Sequence, residues 1–263
     1  MPAFDWIQIE VSTFCNASCI YCPHTCYEET WLNKHFPLSL FKNLIPYFMK
    51  GTLIYLQGWG EPLLNPEFFT MVNLAKKAGC FVGTTTNGNL FTEKTFAQVL
   101  DSGIDIVSFS LAGTDERNDA IRSGTSIGEV VEAIRGLNSL KRSRALSKPA
   151  LHIAYLLLRS QQQKLARLPD LLTDLGIENV IISALDFVPT AVPAPPERVR
   201  HVPYHLVSSA GETDQKALSA RPGMQHWEPP EEVELHTYAL WVEIALGVSD
   251  GAFRSEHRKI WST

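Results

Sequence analysis

The chain has 263 residues, of which 45% are apolar and 19% charged, with a formal net charge of −5. That balance is ordinary for a folded globular protein and argues against an electrostatic nucleic-acid binder, which would carry a basic face. No stretch approaches the roughly 20 consecutive apolar residues required to span a bilayer. The N-terminal Met1–Trp6 segment lacks the charged and apolar regions of a signal peptide. Four of the five cysteines fall between Cys15 and Cys26, a density that suits a metal site in a reducing compartment better than a disulfide scaffold. A cytoplasmic location and no nucleic-acid or membrane partner are expected.

The first 185 residues alternate strand-like and helix-like runs. Short, β-branched, mostly apolar runs predict strands at Ile7–Val11, Leu53–Gln57, Phe81–Thr86, Ile106–Leu111, Leu151–Leu157 and Val180–Ser183, the pattern of parallel strands covered on both faces. Helices are punctuated between them. Asn65-Pro66-Glu67 supplies an N-cap and a proline for one that closes at Gly79. Thr92 opens a second, ending near Gly103, and Ser126 a third that runs through Leu137. Gln161–Leu175 predicts a fourth, stopped by Gly176. Successive β-α units imply a parallel sheet with right-handed crossovers, as an open sheet or a partial barrel. Ligands of such sheets bind at the carboxyl ends of the strands.

The residues after each predicted strand are therefore the candidates for chemistry. After the first comes Cys15-Asn16-Ala17-Ser18-Cys19-Ile20-Tyr21-Cys22, a C-x3-C-x2-C loop. Three thiolates on one loop can hold three irons of a 4Fe–4S cluster and leave the fourth open to a small molecule. After the second comes Gln57-Gly58-Trp59-Gly60-Glu61-Pro62, where two glycines allow close backbone approach to a ligand; a plain β-α turn would use the same residues. The third ends in Thr84-Thr85-Thr86-Asn87-Gly88 and the fourth in Ser108-Phe109-Ser110, with Arg122 following. A polar turn accounts for the former and a solvated surface charge for Arg122, each taken singly. Ser160 reads as a helix N-cap.

In this order, the motifs resemble those of the radical SAM superfamily over about residues 5–186. The resemblance implies a partial (β/α)6 TIM-like barrel, a 4Fe–4S cluster on Cys15, Cys19 and Cys22, and S-adenosylmethionine as cofactor. It implies that Gly58, Trp59, Gly60, Glu61, Pro62, Thr86, Asn87, Ser110 and Arg122 position S-adenosylmethionine, with Tyr21 beside the adenine. The implied activity is reductive cleavage to a 5′-deoxyadenosyl radical that takes a hydrogen from a peptide, protein or small-molecule substrate. Reduced flavodoxin or ferredoxin is the implied electron donor. The protein supplies binding and orientation, and the cofactor the difficult step.

Cys26 and His24 lie just beyond the loop; a fourth ligand from either would close the cluster to S-adenosylmethionine. Zinc on Cys15, Cys19, Cys22 and Cys26 is chemically possible, although zinc folds usually separate two ligand pairs by a longer spacer. Cys80 reads as a buried residue at a strand start, and Lys141-Arg142-Ser143-Arg144 as a solvated helix end.

Residues 187–263 are read as an extension of the 1–186 core: proline-rich, partly helical, with half of the sixteen prolines and a predicted helix at Glu231–Leu246. The Gly-Trp-Gly-Glu-Pro-Leu-Leu stretch is similar to radical SAM cores that carry a C-terminal SPASM domain, many of which modify peptides or mature cofactors. Such domains hold auxiliary clusters through cysteines, and this extension contains none. It is either a cap over the barrel or a remnant of a cysteine-bearing domain. The alternatives for the whole chain are a glycyl-radical-enzyme activating enzyme, a cluster-binding paralogue without catalysis, and a zinc-binding interaction module.

Overall fold

The computed structural model describes residues 6–184 and 242–245. In chain order the strands are β1 (Trp6–Ile9), β2 (Ser18–Cys19), β3 (Leu53–Leu56), β4 (Phe81–Thr86), β5 (Ile106–Leu111), β6 (Arg122–Ser123), β7 (Ala150–Leu157), β8 (Asn179–Ala184) and β9 (Val242–Ala245). The helices are α1 (Pro23–Cys26), α2 (Leu38–Leu44), α3 (Phe68–Lys77), α4 (Glu93–Ser102), α5 (Arg117–Ile121), α6 (Ile127–Ser143) and α7 (Leu168–Leu172). The main sheet runs β1-β3-β4-β5-β7-β8-β9. Its first six strands are parallel and β9 is antiparallel to β8. Parallel strands in sequential order wind in one direction without a switch point, as in a barrel and unlike a doubly wound sheet.

Local chemistry accounts for the element ends. The Thr92 side chain accepts a hydrogen bond from Thr95 N at the start of α4, and Gly103 ends that helix at φ 69°. Along α6 the buried residues Val130, Ala133, Ile134, Leu137, Asn138 and Lys141 recur at helical spacing and form one stripe against the sheet. Facing that helical layer, the sheet presents Ile54, Leu56, Val82, Val107, Phe109, Leu111, Leu151 and Ile153, all buried in one apolar core. Among the described residues no helix is long and apolar enough to cross a membrane.

Several expectations are corrected. The strands are not apolar throughout: they alternate, with β5 carrying Val107, Phe109 and Leu111 toward the helices and Ser108 and Ser110 on the opposite face. Among the described residues only the outer face has a helical cover, and the apolar requirement falls there. Gln161–Leu175 is not one helix but a 3-10 run, Arg159–Arg167, followed by the short α7. Pro169 lacks the N–H an interior helical position needs and sits in the first turn of α7, where none is required. Lys141 is not solvated; its Nζ donates to the Pro149 carbonyl at 3.0 Å and to Glu178 Oε1 at 3.3 Å. Within the helix expected at Glu231–Leu246, Val242–Ala245 is strand, since two β-branched residues in alternation complete the open edge of β8. The rest of that segment and the Val192–Arg200 stretch lie outside the described residues.

Candidate active site

The cysteine loop follows β1 and is fastened from three sides. Thr13 N donates to Lys34 O at 2.9 Å, and Trp31 Nε1 to Thr13 O at 3.0 Å. From β3, Glu61 N donates to Phe14 O at 2.7 Å. From the connection after β5, Ser123 and Arg122 pair antiparallel with Ser18 and Cys19, and Ile20 N donates to Ile121 O at 3.0 Å. Cys22 then caps α1: Cys26 N donates to Cys22 O at 2.9 Å. These tethers hold the loop over the carboxyl ends of β3, β4 and β5.

The two glycines after β3 are explained by this packing. A Cβ on Gly60 would collide with the backbone carbonyls of Ser12 and Phe14, and one on Gly58 with the Glu10 side chain. The close approach the structure shows is to the cysteine loop and to Glu10, whose Oε1 accepts from Trp59 N at 2.6 Å. The Trp59 side chain is exposed, while its carbonyl lies 3.8 Å from Cys22 Sγ.

Glu61 is buried at 2% exposure. Its carboxylate accepts from Thr86 Oγ1 at 2.8 Å, Asn87 N at 2.7 Å and Leu63 N at 3.2 Å. Burial raises its pKa, and those three hydrogen bonds, with the more distant Arg122 charge, oppose the rise. Pro62 follows, buried, at the start of a 3-10 turn. Asn87 Nδ2 reaches back to Asn16 Oδ1 on the cysteine loop at 2.7 Å. Glu61, Thr86 and Asn87 therefore lace the second and third strand ends to the first.

Arg122 is no surface charge. It is 7% exposed, an NH1 group donates to the Tyr21 hydroxyl, and its Nε is buried without a hydrogen-bond partner. Among the described residues it forms no ion pair with a carboxylate. Burial disfavours its charge, but the Tyr21 phenol and the Cys19 and Cys15 thiols beside it hold its pKa above the ordinary arginine value. Tyr21 is itself pushed up by burial, against the pull of Arg122. Burial likewise raises the Cys15 thiol, and takes that of Cys22 to about 11.

This donor set fits an iron–sulfur cluster. Among the described residues no group of three or more His, Cys, Asp or Glu side chains gathers on a point that one ion would fill. A cluster asks for something different, since each thiolate takes a separate iron. A buried guanidinium with an unpaired Nε supplies the positive charge that thiolate ligation calls for. Cys26 Sγ turns toward the loop's own Ile20 carbonyl, 4.0 Å away, and Cys80 is buried against Met49 O at 3.4 Å.

Ser110 is half-buried on the inner face of the sheet, apart from the Glu61 network. On the same face lie Thr85 and Ser108 of the strand-end motifs, and Tyr55, His152 and Asn179, which those motifs do not include. The alternation within Ile-Val-Ser-Phe-Ser-Leu of β5 was the available signal. Asn16 and Glu10 carried none.

The sequence profile of the radical SAM superfamily matches residues 9–148. The chain belongs to the radical SAM superfamily, whose members use a 4Fe–4S cluster and S-adenosylmethionine. Among curated proteins it is 25% identical over 205 residues to a tungsten-containing aldehyde ferredoxin oxidoreductase cofactor-modifying protein of Pyrococcus furiosus, covering 76% of this chain and 55% of that one. It is 26% identical over 132 residues to the mycofactocin maturase MftC of Mycolicibacterium smegmatis, covering 49% and 33%. The chain thus spans about half or less of these relatives' length. Streptococcus suis SuiB bound to S-adenosylmethionine shares the fold, with a TM-score of 0.59 at 14% identity over 72% of this chain and 42% of SuiB.

Proposed function

We propose that this protein binds a 4Fe–4S cluster through Cys15, Cys19 and Cys22 and S-adenosylmethionine through the Gly58–Pro62 stretch, Thr86, Asn87, Ser110 and Arg122, with Tyr21 beside the adenine. When bound, these groups supply reductive cleavage of S-adenosylmethionine to methionine and a 5′-deoxyadenosyl radical for hydrogen abstraction. The observation that carries the reading is the pairing of Cys19 in β2 with Arg122 in β6. It sets a buried, carboxylate-free cation against a three-cysteine loop at the strand ends. The chain's own work is to fix that loop, through Gly60 and Asn16, and to hold Arg122 through Tyr21.

The reaction class we assign is modification of a peptide or protein, or maturation of a cofactor. Support comes from the relatives, which include a cofactor-modifying protein and a mycofactocin maturase. A reduced flavodoxin or ferredoxin is the electron donor. Residues 1–186 form the catalytic core and 187–263 an extension that acts as a cap, of which Val242–Ala245 pairs with β8.

Anaerobic reconstitution with iron and sulfide, then incubation with S-adenosylmethionine and dithionite, tests the proposal by assay of 5′-deoxyadenosine. Product is expected, together with its loss and a fall in bound iron in Cys19→Ala. Protein that holds about four irons yet makes no product would leave a cluster-binding scaffold as the reading.

A further inference from the structure

The inner face of the parallel sheet carries a row of polar residues where covered strands would place valine, isoleucine and leucine. Thr85, Ser108, His152 and Asn179 are successive register partners across β4, β5, β7 and β8. Tyr55 of β3 extends the row, its hydroxyl 3.2 Å from Thr85 Oγ1. By register the row runs across four strands, from Thr85 next to the carboxyl end of β4 to Asn179 at the amino end of β8, and Tyr55 joins it through its hydroxyl.

Two features distinguish this row from a closed polar network. Ser108 is fully buried, yet its Oγ has no hydrogen-bond partner. An unpaired buried hydroxyl costs about 1 to 3 kcal/mol, so folding stability does not explain it. Exposure also rises from the row toward the strand ends: Ser108 and His152 are buried, while Ser110 and Ala154, one pleat above, are partly accessible. Both upper residues are small, which leaves the row approachable from the side of the site.

The row carries no formal charge. Its members include no lysine, arginine, aspartate or glutamate, and burial lowers the His152 pKa to about 4, so the ring is neutral near pH 7. His152 Nε2 lies 3.1 Å from Asn179 Nδ2. If the amide donates there, the proton of the neutral ring is on Nδ1. A carboxylate or phosphate would find no cation in this row, and an ammonium no anion. With Nε2 accepting from Asn179, the His152 ring offers an Nδ1–H donor and Ser108 Oγ a donor or an acceptor, a pair that an amide or hydroxyl can satisfy together.

We propose that Thr85, Ser108 and His152 form the floor of the substrate site, where Ser108 Oγ and the His152 ring seat an uncharged amide or hydroxyl of the substrate. This rests on the radical SAM reading and narrows it to substrates that present such a group toward the core of the sheet. These are positioning residues; the radical chemistry occurs above them.

The test uses the reconstituted full chain labelled with 15N-histidine, without S-adenosylmethionine, so cofactor cleavage plays no part in the read-out. The probes are acetamide, glycerol, acetate, inorganic phosphate and methylammonium, titrated separately. The His152 ring resonances are identified by their absence in His152→Gln. Acetamide or glycerol is expected to shift them, the first marking an amide seat and the second a hydroxyl seat. Ser108→Ala should weaken that response roughly fivefold, as loss of one neutral hydrogen bond implies, and Ser108→Thr should retain it. The proposal is overturned if neither neutral probe moves the resonances or if a charged probe moves them equally. A Ser108→Ala protein that responds like the unaltered chain would overturn it too. A failed titration leaves the 5′-deoxyadenosine assay on the unaltered protein to decide the broader reading by itself.

Discussion

Two buried carboxylates sit at opposite ends of the same sheet and are treated in opposite ways. Asp105, 5% exposed just before β5, is paired with Lys76 at 2.5 Å and with Lys148, and accepts from Val82 N at 2.8 Å. Glu61, after β3, is met by a hydroxyl and two backbone N–H groups, and no lysine or arginine lies within ion-pair distance among the described residues. The positive charge that acts on it is that of Arg122, which also faces the cysteines. The amino end is neutralised locally and serves stability. The carboxyl end keeps a buried carboxylate and a buried guanidinium apart, with no ion pair to either among the described residues, the arrangement expected of the charged-cofactor site proposed above.

Substitutions at the two ends should separate these roles. Glu61→Gln sets an amide donor against three donors, and we expect a loss of about 3 kcal/mol in urea unfolding, with S-adenosylmethionine cleavage abolished. Gly60→Ala drives a methyl into the Ser12 and Phe14 carbonyls. A cost of about 2 to 3 kcal/mol is expected, with reduced iron uptake as the cysteine loop shifts. Asp105→Asn should cost about 2 kcal/mol and leave cofactor cleavage unchanged; a loss of cleavage would erase the contrast between the ends.

His152 supplies a pH test. Its pKa falls from 6.5 to about 4 on folding, so the unfolded chain binds more protons between those values. Its contribution is fully present above pH 6.5 and is lost as the pH falls toward 4. His152→Gln should flatten the acid limb of the stability curve by about 2 kcal/mol, read by denaturant midpoints across that range. Lys141→Met, which removes the bond to Pro149 O but keeps the buried stem, should cost about 1 kcal/mol.

The elements set by local chemistry were legible. Phe81–Thr86 and Ile106–Leu111 match their strands end to end, and Thr92 and Gly103 bound α4 as expected. Such signals depend on neighbours in the chain. Lys141 was misread because its partners, Pro149 and Glu178, come from a later turn and strand that no helical pattern reveals. The two-residue pairing of β2 with β6 is too short to carry a propensity signal, yet it brings Arg122 to Cys19 across more than a hundred residues of sequence.

By itself the sequence determined the alternation of strands and helices and the spacing of Cys15, Cys19 and Cys22, because both are encoded in residues near one another. It also placed the glycine-glutamate-proline turn and the threonine-asparagine-glycine turn at successive strand ends. Tertiary structure alone decided what those motifs do to each other: Glu61 binds Thr86 and Asn87, Asn87 binds Asn16, and Gly60 seats the cysteine loop. It also decided which strand face is polar, since parallel strands gain an apolar requirement only where helices cover them. The row from Thr85 to Asn179 exists through register across four strands, and register is set by the packing of the whole sheet.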